Sequence, residues 1–444
     1  MLALLLPALI QVAPPTDAPK PIPAMAGVWS GAILVPGLEL QIQVELVKAE
    51  GWAGRISIPA QGLKDFALAD VSVDGPAVAF QMRVPGDPAF KGRLEADGAL
   101  RGSLTQGGQA FPFVLKPGAL TAPPPPTLPV KSSQDRELSF PGFNAFPIKG
   151  TVRAAHGHGY FAVLVAGSGP TDRDWSNPLI RDPRTGVLLP SHGGRDFAGW
   201  LEKQGIGSLR WDKRFIGSKD PKLDVSLDAQ VGDIRAALAF ARTLPEAKGK
   251  KLLLVGHSEG ALLSLLTAND TDALLLLALP PQSMARTIVE QLKLQLPPES
   301  STGNLAYMES VFQAIRMNKV TPEGGPDVFP ALVNLAKSLM RPESLSFVRD
   351  TLDLDPWALA SRVPVPHAVA WGDRDMQTWK PPILPTAFSG AVIELPDANH
   401  LLKRETRPRA ELSSANAGSA YGDDTPMADL TPLATWLKGL KEKR

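Results

Sequence analysis

The stretch Leu252-Leu253-Leu254-Val255-Gly256-His257-Ser258-Glu259-Gly260 constrains the fold of this chain more than any other. An apolar run suited to a buried strand stops at Gly256, and apolar residues resume at Ala261-Leu262-Leu263-Ser264-Leu265-Leu266. Between them stands G-x-S-x-G, the pattern of a sharp strand-to-helix turn that pushes a serine hydroxyl out at its tip. Gly256 and Gly260 are required there because a side chain at either position would strike the neighbouring strand or helix. Five residues are a cheap match in a chain with 39 glycines, but the strand before them and the helix after them are not. Ser258 is the candidate nucleophile.

A serine hydroxyl attacks poorly until a base takes its proton, and the base needs a third group to orient it. With a turn of this kind the chain order is serine, acid, histidine. Of the six histidines, His400 in Pro396-Asp397-Ala398-Asn399-His400 follows the last strand and opens a loop, which makes it the candidate base. His257 sits inside the turn and faces the wrong way to accept its neighbour's proton. His156 and His158 read as hairpin residues, His192 as part of a long loop, and His367 as a packed strand residue. For the acid, Trp371-Gly372-Asp373-Arg374-Asp375 ends an apolar strand with two carboxylates. Asp375 fits better, because the Gly372 spacing lets the loop curl back towards the histidine. Asp373 is held in reserve, with an ion pair to Arg374 as its other role. The oxyanion of an acyl-transfer intermediate needs backbone N–H donors aimed at one point. One donor is the N–H of Glu259. The other belongs to Ala166-Gly167-Ser168-Gly169-Pro170, where Gly167 and Gly169 let the backbone approach a substrate and Ser168 or Gly169 donates.

At 444 residues the chain is expected to hold two domains, each with its own core. Residues 1–24 read as a signal peptide and Pro-rich segment, since Met1–Ala13 is apolar but too short to span a bilayer. The basic residues that usually precede such a segment are missing. Export, to the periplasm or the medium, is the expected localisation. Residues 25–118 alternate apolar and polar, as in Glu39-Leu40-Gln41-Ile42-Gln43-Val44-Glu45-Leu46, so one face of each strand is buried. Turn residues at hairpin spacing predict an antiparallel β-roll or open barrel of roughly six to eight strands. The prolines of 119–131 mark an extended linker. In residues 132–444, strand candidates at 160–165, 207–211, 251–255, 273–279, 367–371 and 391–395 alternate with helical stretches, one of them led by Ser226 as N-cap. That grammar predicts a mostly parallel sheet with flanking helices. Residues 281–360 interrupt it with helix-like segments placed to act as a lid, and a final helix covers about 430–440.

Several function classes drop out. A net charge of +1, from 46 basic and 45 acidic residues, gives no footprint for nucleic acid. There is no cysteine, so neither disulfides nor thiolate metal sites arise. Helical metal-ligand spacing and the phosphate-binding G-x-x-x-x-G-K-[ST] loop are both missing, so no metal and no cofactor are expected. The charges Asp172, Arg173 and Asp174 read as a local salt-bridge network. No segment reaches the ~18 consecutive apolar residues of an integral membrane span.

At these residues the chain resembles the α/β-hydrolase superfamily. Within it, the chain is most similar to secreted or periplasmic bacterial serine hydrolases of the carboxylesterase and serine-aminopeptidase-like (S9/S33-type) kinds. The resemblance is carried by Gly167-Ser168-Gly169-Pro170-Thr171-Asp172-Arg173-Asp174, Arg210-Trp211-Asp212-Lys213-Arg214, Gly256–Gly260, Gly372-Asp373-Arg374-Asp375-Met376-Gln377 and Asn399-His400. It spans about 160–402, and it implies a triad of Ser258, Asp375 and His400 with the Ser168 and Glu259 N–H groups as oxyanion hole. The β-rich module with Gly27-Val28-Trp29-Ser30-Gly31 looks like a domain found on some of these hydrolases. Two departures stand out: Phe215 follows Arg214 where the family usually has glycine, and Trp175 stands where glycine is common, which is expected to narrow the entrance. The expected function is hydrolysis of a small carboxylic ester. The alternative is a peptidase or amidase, in which Glu259 would clamp a free amine. A third reading, from another class, is a non-catalytic binding protein on the same scaffold. Oligomeric state is left open.

Overall fold

The computed structural model describes residues 24–442, apart from 36–37, 62, 85–86, 107–108, 121–131, 179, 183–185, 187, 219, 221, 297, 326 and 413–415. The expected signal peptide and nearly all of the Pro-rich linker lie outside the described residues. Two compact units divide the chain: one runs to Pro123 and includes residues 184–186, and the other holds the remainder.

The first unit is a nine-stranded antiparallel sheet in the order β4-β3-β2-β1-β9-β8-β7-β6-β5. Its strands are β1 (Gly27–Val35), β2 (Leu38–Lys48), β3 (Trp52–Ile58), β4 (Leu63–Ala67), β5 (Ala69–Asp74), β6 (Ala77–Gln81), β7 (Ala89–Leu94), β8 (Leu100–Gln106) and β9 (Gln109–Pro117). β4 and β5 form the two edges of the sheet, yet a single residue, Leu68, separates them in sequence. The sheet therefore curls back on itself into a nearly closed barrel. One side of each strand points inward, as alternation requires. Trp29, Ile42, Val44, Phe80, Phe90, Phe113 and Leu115 pack together there, so the interior is a filled core. The strand count exceeds the expected six to eight, the two edge strands β4 and β5 being only five and six residues long.

The second unit is an eight-stranded sheet in the order β10-β11-β13-β12-β14-β15-β16-β17. Its strands are β10 (Asp135–Pro141), β11 (Pro147–Arg153), β12 (Tyr160–Val165), β13 (Gly207–Trp211), β14 (Lys251–His257), β15 (Ala273–Leu277), β16 (His367–Gly372) and β17 (Ala391–Leu395). β12 to β17 run parallel, while β11 pairs antiparallel with both β10 and β13. Along β12, Phe161, Val163 and Val165 face one core and Tyr160, Ala162 and Leu164 the other. Burial on both faces explains why these strands read as continuous apolar runs.

Helices α1 (Gly193–Lys203) and, at the chain's end, α9 (Thr431–Glu442) cover one face of the sheet. Helices α2 (Leu227–Ala241) and α3 (Glu259–Leu265) cover the other. Ser226 caps α2, its hydroxyl accepting the Ala229 N–H at 3.2 Å. Between β15 and β16 lies a helical insertion of α4 (Met284–Gln295), α5 (Pro298–Arg316), α6 (Pro330–Leu339), α7 (Leu345–Thr351) and α8 (Pro356–Ala360). Most of it packs on a core of its own around Met308, Val311, Phe312 and Ile315. This is the α/β-hydrolase fold that the resemblance implies. Among the described residues no helix is long and apolar enough to cross a membrane.

Candidate active site

β14 ends at His257, α3 begins at Glu259, and Ser258 forms the corner with φ 56° and ψ −122°. A non-glycine residue held there stores on the order of 1–3 kcal/mol of backbone strain. The corner is fixed by the Ser258 N–H, which donates to the Leu277 carbonyl at 2.9 Å. The flanking glycines are obligatory on contact grounds. A Cβ on Gly256 would lie 2.4 Å from the Gly260 carbonyl oxygen, and one on Gly260 would lie 2.5 Å from that of Ala166. Ser258 itself is half-buried.

His400 and Asp375 meet at the carboxyl end of the sheet, His400 Nδ1 standing 2.8 Å from Asp375 Oδ2. Asp375 is fully buried. Its Oδ1 accepts the N–H groups of Gln377 (2.7 Å) and Thr378 (3.0 Å), and its Oδ2 accepts the Thr378 hydroxyl at 2.8 Å. Burial pushes the carboxyl pKa up, but the His400 ring and these N–H donors outweigh it and hold the group below its ordinary value. An ionised carboxylate requires Nδ1 of His400 to carry the proton, which leaves Nε2 as the basic nitrogen. The turn bearing His400 is stiffened by Asn399, whose Oδ1 accepts the N–H groups of Leu401 and Lys403 and whose Nδ2 donates to the Ala420 carbonyl. Asp373 plays the other role foreseen for it, with Oδ2 3.0 Å from Arg374 Nη1.

His257 makes contacts in the site that the sequence did not reveal. Its Nε2 donates to the backbone carbonyl of His400 at 2.7 Å. Its ring stacks on Trp175, with centroids 4.7 Å apart. Desolvation, followed by the nearby His400 charge, pushes its pKa down to about 3, so the ring is neutral at ordinary pH. Trp175 is buried at φ 61° and packs over Gly194, where a Cβ would lie 2.6 Å from the indole. Any pattern search for a base discards His257, since its role is to hold the backbone of the real candidate.

The Gly167–Gly169 loop lies directly against the corner. A Cβ on Gly167 would stand 3.3 Å from Ser258 Cβ and 3.1 Å from His257 Nδ1. Gly169 adopts φ +69°, which glycine takes at no steric cost. Gly167, Ser168, Thr171, Trp175, Asn177, Ile180, His257, Ser258, Gln377, His400, Leu401 and Tyr421 enclose a cavity of about 120 Å³. The Glu259 carboxylate pairs with Lys213 Nζ at 3.2 Å. Asp172, Arg173 and Asp174 are absorbed in structural contacts: Arg173 pairs with Asp212 and Asp174 with Arg210, each at 2.6 Å, while Asp172 accepts backbone N–H groups. Among the described residues no cluster of three or more His, Cys, Asp or Glu could hold a metal ion.

Comparison with known proteins adds to this geometry. The model of the "Alpha/beta hydrolase family" matches residues 162–415. Esterase EstD of Thermotoga maritima is 26% identical over 238 residues, which are 53% of this chain and 51% of that protein. A polyketide transferase of Stachybotrys chlorohalonatus is 37% identical over 75 residues, 16% of this chain and 25% of its own. The chain thus spans about half, or less, of the curated relatives it matches. Among solved structures, an esterase of Pyrococcus furiosus aligns at a TM-score of 0.37 and 14% identity, covering 64% of this chain and 90% of that one.

Proposed function

The chain belongs to the alpha/beta hydrolase family, and from that premise we propose that it is a serine esterase acting on small carboxylic esters through an acyl-enzyme. Ser258 attacks the acyl carbon while His400 Nε2 takes its proton, and Asp375 keeps the imidazole in the required tautomer. The N–H groups of Ser168 and Glu259 receive the oxyanion. His400 then protonates the leaving alkoxide, and water attacks the acyl-enzyme by the same route. The observation that carries this reading is the buried 2.8 Å contact of His400 with Asp375, His400 lining the same cavity as Ser258.

Esters are favoured over peptides by the Lys213–Glu259 ion pair, which occupies the carboxylate that an aminopeptidase would need for a free amine. The relative EstD is named an esterase, which agrees. The cavity beside Ser258 is small, about 120 Å³, which favours a short acyl group. Turnover of p-nitrophenyl esters is therefore expected to fall at least about tenfold from butyryl to octanoyl, since burying a misfit chain forfeits binding in the transition state. Amino-acyl anilides are expected to be inert. Faster cleavage of the anilides than of acetyl or butyryl esters would replace this reading with the peptidase one.

A further inference from the structure

We infer that Lys213 is a positioning residue for the oxyanion hole, its one ammonium group holding the peptide that bears the first donor and the side chain of the residue that bears the second. This inference rests on the nucleophile and donor assignments proposed above. Lys213 follows β13 in a loop braced by Asp212, whose N–H donates to the Lys149 carbonyl and whose carboxylate is taken by Arg173. The Lys213 ammonium donates to the carbonyl of Gly167 and pairs with the carboxylate of Glu259 at 3.2 Å. Both side chains are largely buried, at 10% and 17% exposure, so solvent screens the pair less than a surface pair.

The consequence follows from peptide geometry. Among the described residues no peptide bond is cis. In a trans peptide the carbonyl and N–H point in opposite directions. With the ammonium on the carbonyl side of the Gly167–Ser168 peptide, the Ser168 N–H is turned away from Lys213. Gly167 lies against Ser258 Cβ, and Ser168 lines the same cavity. The other donor is the N–H of Glu259, whose side chain the same ammonium holds. One cation thus fixes the orientation of the first donor and ties it to the residue bearing the second. Phe215 supports the arrangement, since its ring lies 5.5 Å from the ammonium. The departure of Phe215 from the glycine usual at that position gains a physical role here: it backs the cation.

A residue acting in this way stabilises the tetrahedral state and leaves ground-state binding alone. Removing an oxyanion donor outright costs about 10²–10³ in kcat, so misaligning one is expected to cost less, about 10- to 100-fold. The experiment measures kcat and KM on p-nitrophenyl acetate, together with inhibition by phenylboronic acid, whose tetrahedral adduct on serine places an oxygen in the hole. In Lys213→Met we expect kcat to fall about 10- to 100-fold, boronate affinity to fall alongside it, and KM to stay within about threefold. A purely structural role would lower the thermal midpoint without this kcat-against-KM split. Should Lys213→Met fail to fold, Glu259→Gln decides: about a threefold to tenfold loss in both kcat and boronate affinity supports the inference. Wild-type kcat and boronate affinity in whichever variant folds overturns it. Ser258→Ala is run alongside. Turnover retained in Ser258→Ala defeats the nucleophile assignment itself, whereas an inactive Ser258→Ala beside an unimpaired Lys213→Met defeats the Lys213 inference alone.

Discussion

His257 makes a quantitative prediction about stability. Its ring is fully buried against Trp175 and the His400 turn, and its pKa falls from 6.5 to about 3 in the folded chain. The unfolded chain therefore binds a proton between those values that the folded chain refuses. For a depressed pKa the stabilising contribution is complete above 6.5 and is lost as pH falls towards 3. Each pH unit below 6.5 removes about 1.4 kcal/mol, so moving from pH 7 to pH 4.5 removes about 2.7 kcal/mol through this ring alone. His257→Gln eliminates the titration while retaining an N–H donor for the His400 carbonyl. Urea unfolding of both proteins at the two pH values, followed by tryptophan fluorescence, isolates the effect as a difference of differences, because the other titrating groups are common to both. Wild type is expected to lose about 2.7 kcal/mol more than the variant over that interval. Equal losses in the two proteins, within about 0.5 kcal/mol, refute the claim that this ring stays neutral.

The carboxylates of the acid loop separate cleanly: Asp375→Asn is expected to lower kcat by about 10⁴ through the wrong imidazole tautomer. Asp373→Asn, which removes a charge already paired with Arg374, should change kcat by less than about threefold in the same assay. Equal effects at the two positions would dismiss the assignment of the acid. Away from the cavity, Arg214 binds Asp233 through two contacts of 2.6 and 2.8 Å, with both side chains buried. Arg214→Met strands that carboxylate and should destabilise the chain by about 3–5 kcal/mol in urea denaturation; a loss under about 1 kcal/mol would show that Asp233 relaxes to another partner.

What the sequence made legible is what short-range patterns encode. The corner at Ser258 was readable because strand, glycine spacing and helix are all local. The partners His400 and Asp375 were readable because each follows an apolar strand in the right chain order. The contacts that hold them were not. His257 acts on the carbonyl of His400, 143 residues away in sequence. Lys213 reaches Gly167 and Glu259, each 46 residues away. Such contacts leave no periodic trace. The strands β10 and β11 escaped notice for a related reason. Charged residues within them are paired across the sheet, Asp135 with Arg153 and Arg210 in a nearly buried cluster and Glu137 with Arg173, so apolar alternation is faint. The barrel was read correctly as antiparallel, but with fewer strands than the nine observed.

The central claim is the proposal that Ser258 acts as a nucleophile. Treating the full-length protein with a fluorophosphonate probe and locating the adduct by peptide mass spectrometry tests it directly. A single adduct on Ser258 is predicted, with Ser258→Ala both unlabelled and reduced about 10⁶-fold in kcat on p-nitrophenyl acetate. An adduct on another residue, or turnover by Ser258→Ala within about tenfold of wild type, contradicts it.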